Sequence, residues 1–297
     1  MVVHANALPS STSSRGDTLL RATLVVDDRA LPKPILSPGQ LFGSFFEDFL
    51  HAGDGGVYAE KLSNRALALP LANTSFFRCS GAVGTGECTW FVEKGTVTRD
   101  RSVPLNTAVP NTMWLEPSAV AANAGFPGGI AVNAGDELRL SLFVFVPGSG
   151  RASIVARLVD GMDPAGHVLG STVVTAQGSQ WVRLDASLDV DVSSGGDGCR
   201  FQLINSANSS SRVGVTVVSL FPTRTWMGRK NGLRVDVTEW LNESQPAFLR
   251  TPGGCYVEGQ NLSASGWNWK KTLGPIETRA GHMNDAWGYW TDVRQLH

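Results

Sequence analysis

Between Leu138 and Phe221 the chain reads as six apolar or alternating runs parted by turn-forming pieces. The runs are Leu138–Val146, Ala152–Asp160, Val168–Ala176, Trp181–Val190, Cys199–Asn205 and Arg212–Phe221. Within the second, Ile154, Ala156 and Leu158 fall on one side and Ser153 and Arg157 on the other, the two-residue period of a half-buried strand. Pro147-Gly148-Ser149-Gly150 and Ser194-Gly195-Gly196-Asp197-Gly198 are the turn chemistry between runs. Short strands at even spacing bury their apolar sides by packing sheet on sheet. The region from about Asn73 to Pro222 is therefore expected to be an all-β sandwich or jelly roll.

On either side the pattern changes. Leu24–Val26 reads as a short strand, and Gly43–Asp48 as a second with acidic residues at its C-terminal end. Tyr58, Leu62 and Ala66 recur at i, i+4 and i+8, which predicts a helix from Gly55 to about Leu67 with Asp54 as its N-cap. After the β region, Leu233, Val237, Trp240 and Leu241 share one helical face and predict a helix over Gly232–Asn242, ended by Pro246. Ala247–Arg250 is then a strand, running into Thr251-Pro252-Gly253-Gly254. Strand then helix before the sandwich, and helix, strand and glycine loop after it, are pieces of a βα barrel that the sandwich interrupts. The fold class expected is α/β plus all-β. Residues 1–17 form a disordered N-terminus, 18–72 the first strands and first βα unit, 73–222 the inserted sandwich, and 223–297 a second, incomplete part of the barrel.

Bulk properties exclude several roles. The 297 residues carry a formal net charge of -1, and a nucleic-acid partner needs a basic surface. Neutral ligands such as sugars suit this balance. There is no apolar run long enough to cross a membrane. Met1–Asp17 lacks the basic start and apolar stretch of a secretory signal, so either the protein is not secreted or its true start lies upstream. Asn73, Asn208, Asn242 and Asn261 each begin an N-x-[ST] tripeptide, a weak pointer to a secretory route. Cys79, Cys88, Cys199 and Cys255 form no CxxC pattern. Cys79 and Cys88 are close enough to close a small loop, and buried free thiols are the other reading. No phosphate loop, nucleophile elbow or His/Glu metal cluster occurs, which removes the main competing enzyme classes.

Two residues stand where chemistry is done in a barrel. Glu47 sits at the end of a strand, the rim on which barrel enzymes build their sites. A carboxylate there accepts hydrogen bonds from sugar hydroxyls, or is simply a surface acid. Arg250 ends a buried-looking strand ahead of Pro-Gly-Gly, where glycines let a ligand approach the backbone. A buried Arg needs an anion, either a catalytic carboxylate or a salt-bridge partner within the fold. Glu60 is expected to be solvated on its helix, and Asp48 is a further acid that could pair. Trp181 begins a strand and is expected in the core. His51 and His282 point to no single role. The aromatic stretch of Trp267, Trp269, Trp287, Tyr289 and Trp290 reads as sugar platforms or, better, as the core of a long loop.

Longer blocks resemble a known family. Leu41-Phe42-Gly43-Ser44-Phe45-Phe46-Glu47-Asp48, then Asp54-Gly55-Gly56-Val57-Tyr58-Ala59-Glu60 with Asn64-Arg65, are similar to the opening of the α-L-arabinofuranosidases of glycoside hydrolase family 51. Asn231-Gly232-Leu233-Arg234 and Phe248-Leu249-Arg250-Thr251-Pro252-Gly253-Gly254-Cys255-Tyr256-Val257-Glu258-Gly259 resemble that family's second block. Trp269-Lys270, Gly274-Pro275-Ile276-Glu277, Arg279, Gly281-His282 and Trp287-Gly288-Tyr289-Trp290 continue it. The resemblance covers roughly Leu20 to Asp292 and implies a (β/α)8 barrel interrupted by a jelly-roll, carbohydrate-binding-like sandwich. It also implies a retaining mechanism on terminal arabinofuranosyl residues of arabinan or arabinoxylan, in which one Glu protonates the leaving oxygen and a second attacks the anomeric carbon, the two carboxyl groups ~5 Å apart. The resemblance implies no metal or organic cofactor. Glu47 would bind arabinofuranose hydroxyls, Arg250 would keep the nucleophile ionised, and Cys255 would line the pocket, although some members carry Asn there.

In the family both catalytic Glu residues lie in later barrel strands, beyond the last matching block here. Glu47, Glu60, Glu258 and Glu277 match other positions, so no catalytic residue is expected within 1–297 and the polypeptide is expected to be inactive alone. A non-catalytic carbohydrate-binding protein built on the sandwich is the alternative. By resemblance the partner is an arabinose-containing glycan and the location extracellular.

Overall fold

The structure, a computed structural model, describes residues 3–7, 22–26, 41–48, 52–68, 71, 90–126, 129–161, 166–196, 198–254, 257 and 268–279. Cys79, Cys88, Cys255, His51, His282, Asn73, Asn261 and the aromatic stretch other than Trp269 lie outside the described residues. Two units are distinguished: 1–44 with 246–249, and 45–245 with 250–297. In the first, β1 (Val3–Ala7) pairs antiparallel with β2 (Ala22–Val26), so the expected strand at Leu24–Val26 is present, and the disorder expected over 1–17 is corrected for Val3–Ala7, whose backbone groups find their partners on β2. Elsewhere in it, Ala247 N donates to Phe42 O at 2.8 Å and Ser44 N to Phe248 O at 2.9 Å.

The second unit is dominated by two five-stranded antiparallel sheets. One contains β4 (Trp90–Lys94), β7 (Val120–Asn123), β9 (Arg151–Asp160), β10 (Val168–Gln177) and β12 (Cys199–Asn205), in the order β10-β9-β12-β7-β4. The other contains β5 (Val97–Asp100), β6 (Thr112–Leu115), β8 (Glu137–Phe145), β11 (Val182–Asp189) and β13 (Val213–Pro222), in the order β11-β8-β13-β6-β5. All six expected strands are present within a residue or two of their expected ends. Alternation is the cause. Leu138, Leu140, Leu142 and Val144 point inward from β8, and Ile154, Ala156 and Leu158 from β9, into one core that both sheets line. Each fully buried Leu contributes about 1.5–3 kcal/mol. Trp90 and Phe201, on one sheet either side of β7, meet edge to face within this core at 6.1 Å. Cys199 is a buried free thiol, pushed up to about 12 by burial.

Strand β13 has no solvent face, because the segment 60–68 lies against its outer side. Lys61 N donates to Leu220 O and Val218 N to Arg65 O, at 2.9 and 3.1 Å, while Ala66 packs on Val217. This corrects the helix expected over Gly55–Leu67. The segment is a run of turns in which Gly55, Asn64 and Leu67 have φ of 78°, 49° and 59°. Its backbone groups bond to β13 and within turns, leaving no continuous i to i−4 ladder. Leu62 and Ala66 are buried as the periodicity required, but by an irregular chain.

The later helix spans Val235–Glu243 and ends before Pro246. Its expected apolar stripe is only partly used: Trp240 is 79% exposed, and no described element covers it. Trp181 is another correction. It precedes β11, is half-buried, and leans on Phe145 at 5.6 Å with its indole N–H donating to Pro104 O.

Candidate functional site

Short strands β3 (Ser44–Phe45) and β14 (Leu249–Arg250) form a two-stranded sheet. In the larger unit, Phe46 N donates to Arg250 O at 2.8 Å and Asp48 N to Pro252 O at 3.1 Å. The register climbs by two on both chains in the same direction, as between parallel neighbours. Glu47 and the Gly253-Gly254 turn thereby come together at the C-terminal ends of two parallel segments.

Gly253 explains why they fit. Its φ is +121°, and a Cβ there would stand 2.3 Å from Glu47 Cγ. Any side chain would be strained and would collide with the Glu47 stem. Glu47 Oε1 is buried without a hydrogen-bond partner, and a buried carboxylate oxygen lacking a donor is costly unless a ligand supplies one. Arg250 borders the same turn, its Nη2 4.0 Å from where a Gly254 Cβ would lie. The expectation that Arg250 is buried against an anion is corrected. It is exposed and its guanidinium stacks on the Phe45 ring at 4.5 Å. Delocalised charge and planar shape make that stack favourable without a carboxylate.

Asp48 faces a different environment. It is buried, its Oδ1 accepts from Gly53 N at 2.8 Å, and its Oδ2 has no partner. Burial, opposed by the Gly53 bond, raises its pKa to about 6.

The acids expected to be bland are structural, but differently from expectation. Glu60 is 2% exposed, neither helical nor solvated. Its Oε1 accepts from the N–H groups of Lys61, Leu62 and Leu220, and its Oε2 from the Ser219 hydroxyl. Arg65 Nη1 stands 3.3 Å from Glu60 Oε2, and its Nη2 2.8 Å from Asp54 Oδ2. Asp54 is thus an ion-pair partner and caps no helix. Burial pushes the Glu60 carboxyl above its ordinary value, with the Arg65 guanidinium opposing. In the sequence Arg65 stands out only within the Asn64-Arg65 motif, and its pairing across the turn has no sequence period to reveal it. Among the described residues no three His, Cys, Asp or Glu side chains gather to hold a metal ion.

Comparison with known proteins agrees with the motif order. A family model described as the alpha-L-arabinofuranosidase 1 domain matches residues 240–296. An extracellular exo-alpha-L-arabinofuranosidase from Streptomyces chartreusis is 30% identical over 97% of this chain and 34% of its own length. Alpha-L-arabinofuranosidase 1 of Arabidopsis thaliana is 30% identical over 90% of this chain and 41% of its own. An arabinose-bound family 51 α-L-arabinofuranosidase superposes with a TM-score of 0.72 at 31% identity, covering 87% of this chain and 41% of that one. The chain spans between 34% and 41% of the length of these relatives. By motif order, family model and fold likeness together, it belongs to the α-L-arabinofuranosidases of glycoside hydrolase family 51.

Proposed function

We propose that the chain supplies the substrate-positioning front of a retaining α-L-arabinofuranosidase acting on terminal non-reducing arabinofuranosyl residues of arabinan or arabinoxylan. The observation that carries this is the Glu47–Gly253 corner, where an unpartnered buried carboxylate oxygen sits over a glycine that no other residue can replace. Glu47 accepts hydrogen bonds from furanose hydroxyls, and the side-chain-free turn lets the sugar approach the backbone. Arg250 swings from its Phe45 stack to hold the nucleophilic carboxylate ionised, and the family resemblance gives Cys255 a role beside the sugar. In this reading β3 and β14 are barrel strands and the two-sheet sandwich is a jelly-roll insertion over about 73–222. The protein acts outside the cell, and Asn208 and Asn242, both exposed, are open to glycosylation.

Acid/base and nucleophile are two further Glu residues, and no Glu of 1–297 matches either. Residues 1–297 therefore bind but do not hydrolyse. The test is binding of α-1,5-linked arabinotriose by calorimetry. Glu47→Gln and Gly253→Ala should each weaken it about tenfold or more, the scale of one charge-assisted hydrogen bond or of a strained backbone. Undiminished binding by a folded Glu47→Gln protein would refute the assignment.

A further inference from the structure

Away from the Glu47 corner, a cleft of about 590 Å³ opens between the edge of β11 and the loop that follows β13. Its wall carries Arg183, Arg229, Lys230 and Asn231, with Tyr58 and the half-buried Trp226 as aromatic surfaces. We propose that this cleft binds the carboxylate of an acidic sugar unit, a uronic acid within the glycan that bears the arabinofuranosyl residues. The inference rests on the glycan-processing reading above and adds a class of substrate to it.

Charge and shape carry the argument. Arg183 and Lys230 share one counter-ion, Asp185, at 3.3 and 3.9 Å. The Arg229 guanidinium has no carboxylate partner among the described residues. Three exposed cations therefore face one exposed acid. Glu277 lines a smaller neighbouring cavity and interacts electrostatically with Arg279. Exposed ion pairs are weak in water, so Asp185 does not hold Arg183 or Lys230 against a ligand that an Arg fork grips with both oxygens. Trp226 and Tyr58 offer flat apolar faces to the C–H side of a pyranose, and Asn231 donates to and accepts from hydroxyls. The volume suits one or two sugar units.

The loop is also built to hold its shape. Trp226 N donates to Leu233 O at 2.8 Å, Gly228 N to Thr225 O at 3.0 Å, and the Thr225 hydroxyl to Arg229 O. Met227 and Asn231 sit at φ of 55° and 52°, conformations that non-glycine residues keep only where surrounding bonds fix them. Arg229 and Lys230 are thus presented on a fixed scaffold, which lowers the ordering cost of binding.

The experiment is calorimetric titration of the 297-residue chain with trigalacturonate and with its carboxyl-reduced, neutral counterpart. The expected result is measurable binding of the acid that weakens with added salt, and binding of the neutral sugar about tenfold weaker or worse. Arg229→Ser combined with Lys230→Ser, both exposed, should cost the acid about tenfold as well, while Glu47→Gln leaves it unchanged. Absence of trigalacturonate binding, equal binding of the neutral sugar, an unaffected double variant, or loss in Glu47→Gln would each overturn the inference. Arabinotriose binding, measured separately, decides the reading beneath it.

Discussion

The two-sheet sandwich and the segments that flank it bury their residues by different means. Sandwich strands hide alternate aliphatic side chains in one continuous core. The flanks hide a denser set of charges: Asp48, Asp54, Glu60 and Arg65 are all buried there, whereas the sandwich strands bury the cation Arg200, held by Glu93 at 2.9 Å. The flanks also leave large apolar groups uncovered, among them Phe42, Phe45, Trp240, Leu249 and Trp269. The sandwich is therefore stabilised by many small interchangeable contacts. The turn segment 52–68 depends on a few strong ones, which cannot be lost singly. A site for a polar ligand belongs in the second kind of region, because its buried polar atoms are already positioned, and some await a partner.

Variants can break this contrast. Phe201→Ala, which empties a position packed on Trp90, should cost about 3–5 kcal/mol in denaturant unfolding and lower the whole sandwich together. Arg65→Ala should cost about 3 kcal/mol, since Asp54 and Glu60 keep buried charges without their cation. Here the loss should be local: hydrogen exchange should rise across 52–68 and stay slow in β8 and β9. A uniform rise in both would mean that the two regions share one kind of stability.

A smaller effect concerns pH. Folded Asp48 keeps its proton to about pH 6, whereas in the unfolded chain it loses it near 4. Between those values the native state binds more protons. The contribution is therefore complete below about pH 4 and is lost as pH rises through 6, a change of about 3 kcal/mol. Asp48→Asn should remove that decline from the denaturant midpoints measured between pH 4 and 7, and an unchanged decline would assign it to another group.

How much of this was legible in the sequence follows the same contrast. Strands such as Ala152–Asp160 write their fold in a two-residue period, and all six longer ones were legible. β4 to β7 are four or five residues long and carry Thr, Asn, Ala or Glu, so their pattern is too short to stand out. The turn at 52–68 misled because Tyr58, Leu62 and Ala66 keep a helical spacing while Glu60, Gly55 and Asn64 impose another path. Arg250 was legible as a site residue but not as exposed, since a four-residue apolar run does not say what covers it. Glu47 was found from its strand end, but its dependence on Gly253 is a matter of contact across about two hundred residues. The basic cleft gathers Arg183 and Arg229 from distant positions, and nothing local announces it.

Under the proposed function, residues 1–297 position an arabinofuranosyl unit and lack the carboxylate pair that cleaves it. The direct measurement is turnover of an aryl α-L-arabinofuranoside by the purified 297-residue chain. Release of the aryl group at the uncatalysed rate is the predicted result. Catalytic turnover that disappears on Glu47→Gln would contradict it, and would place a working acid/base pair among residues assigned here to binding and structure.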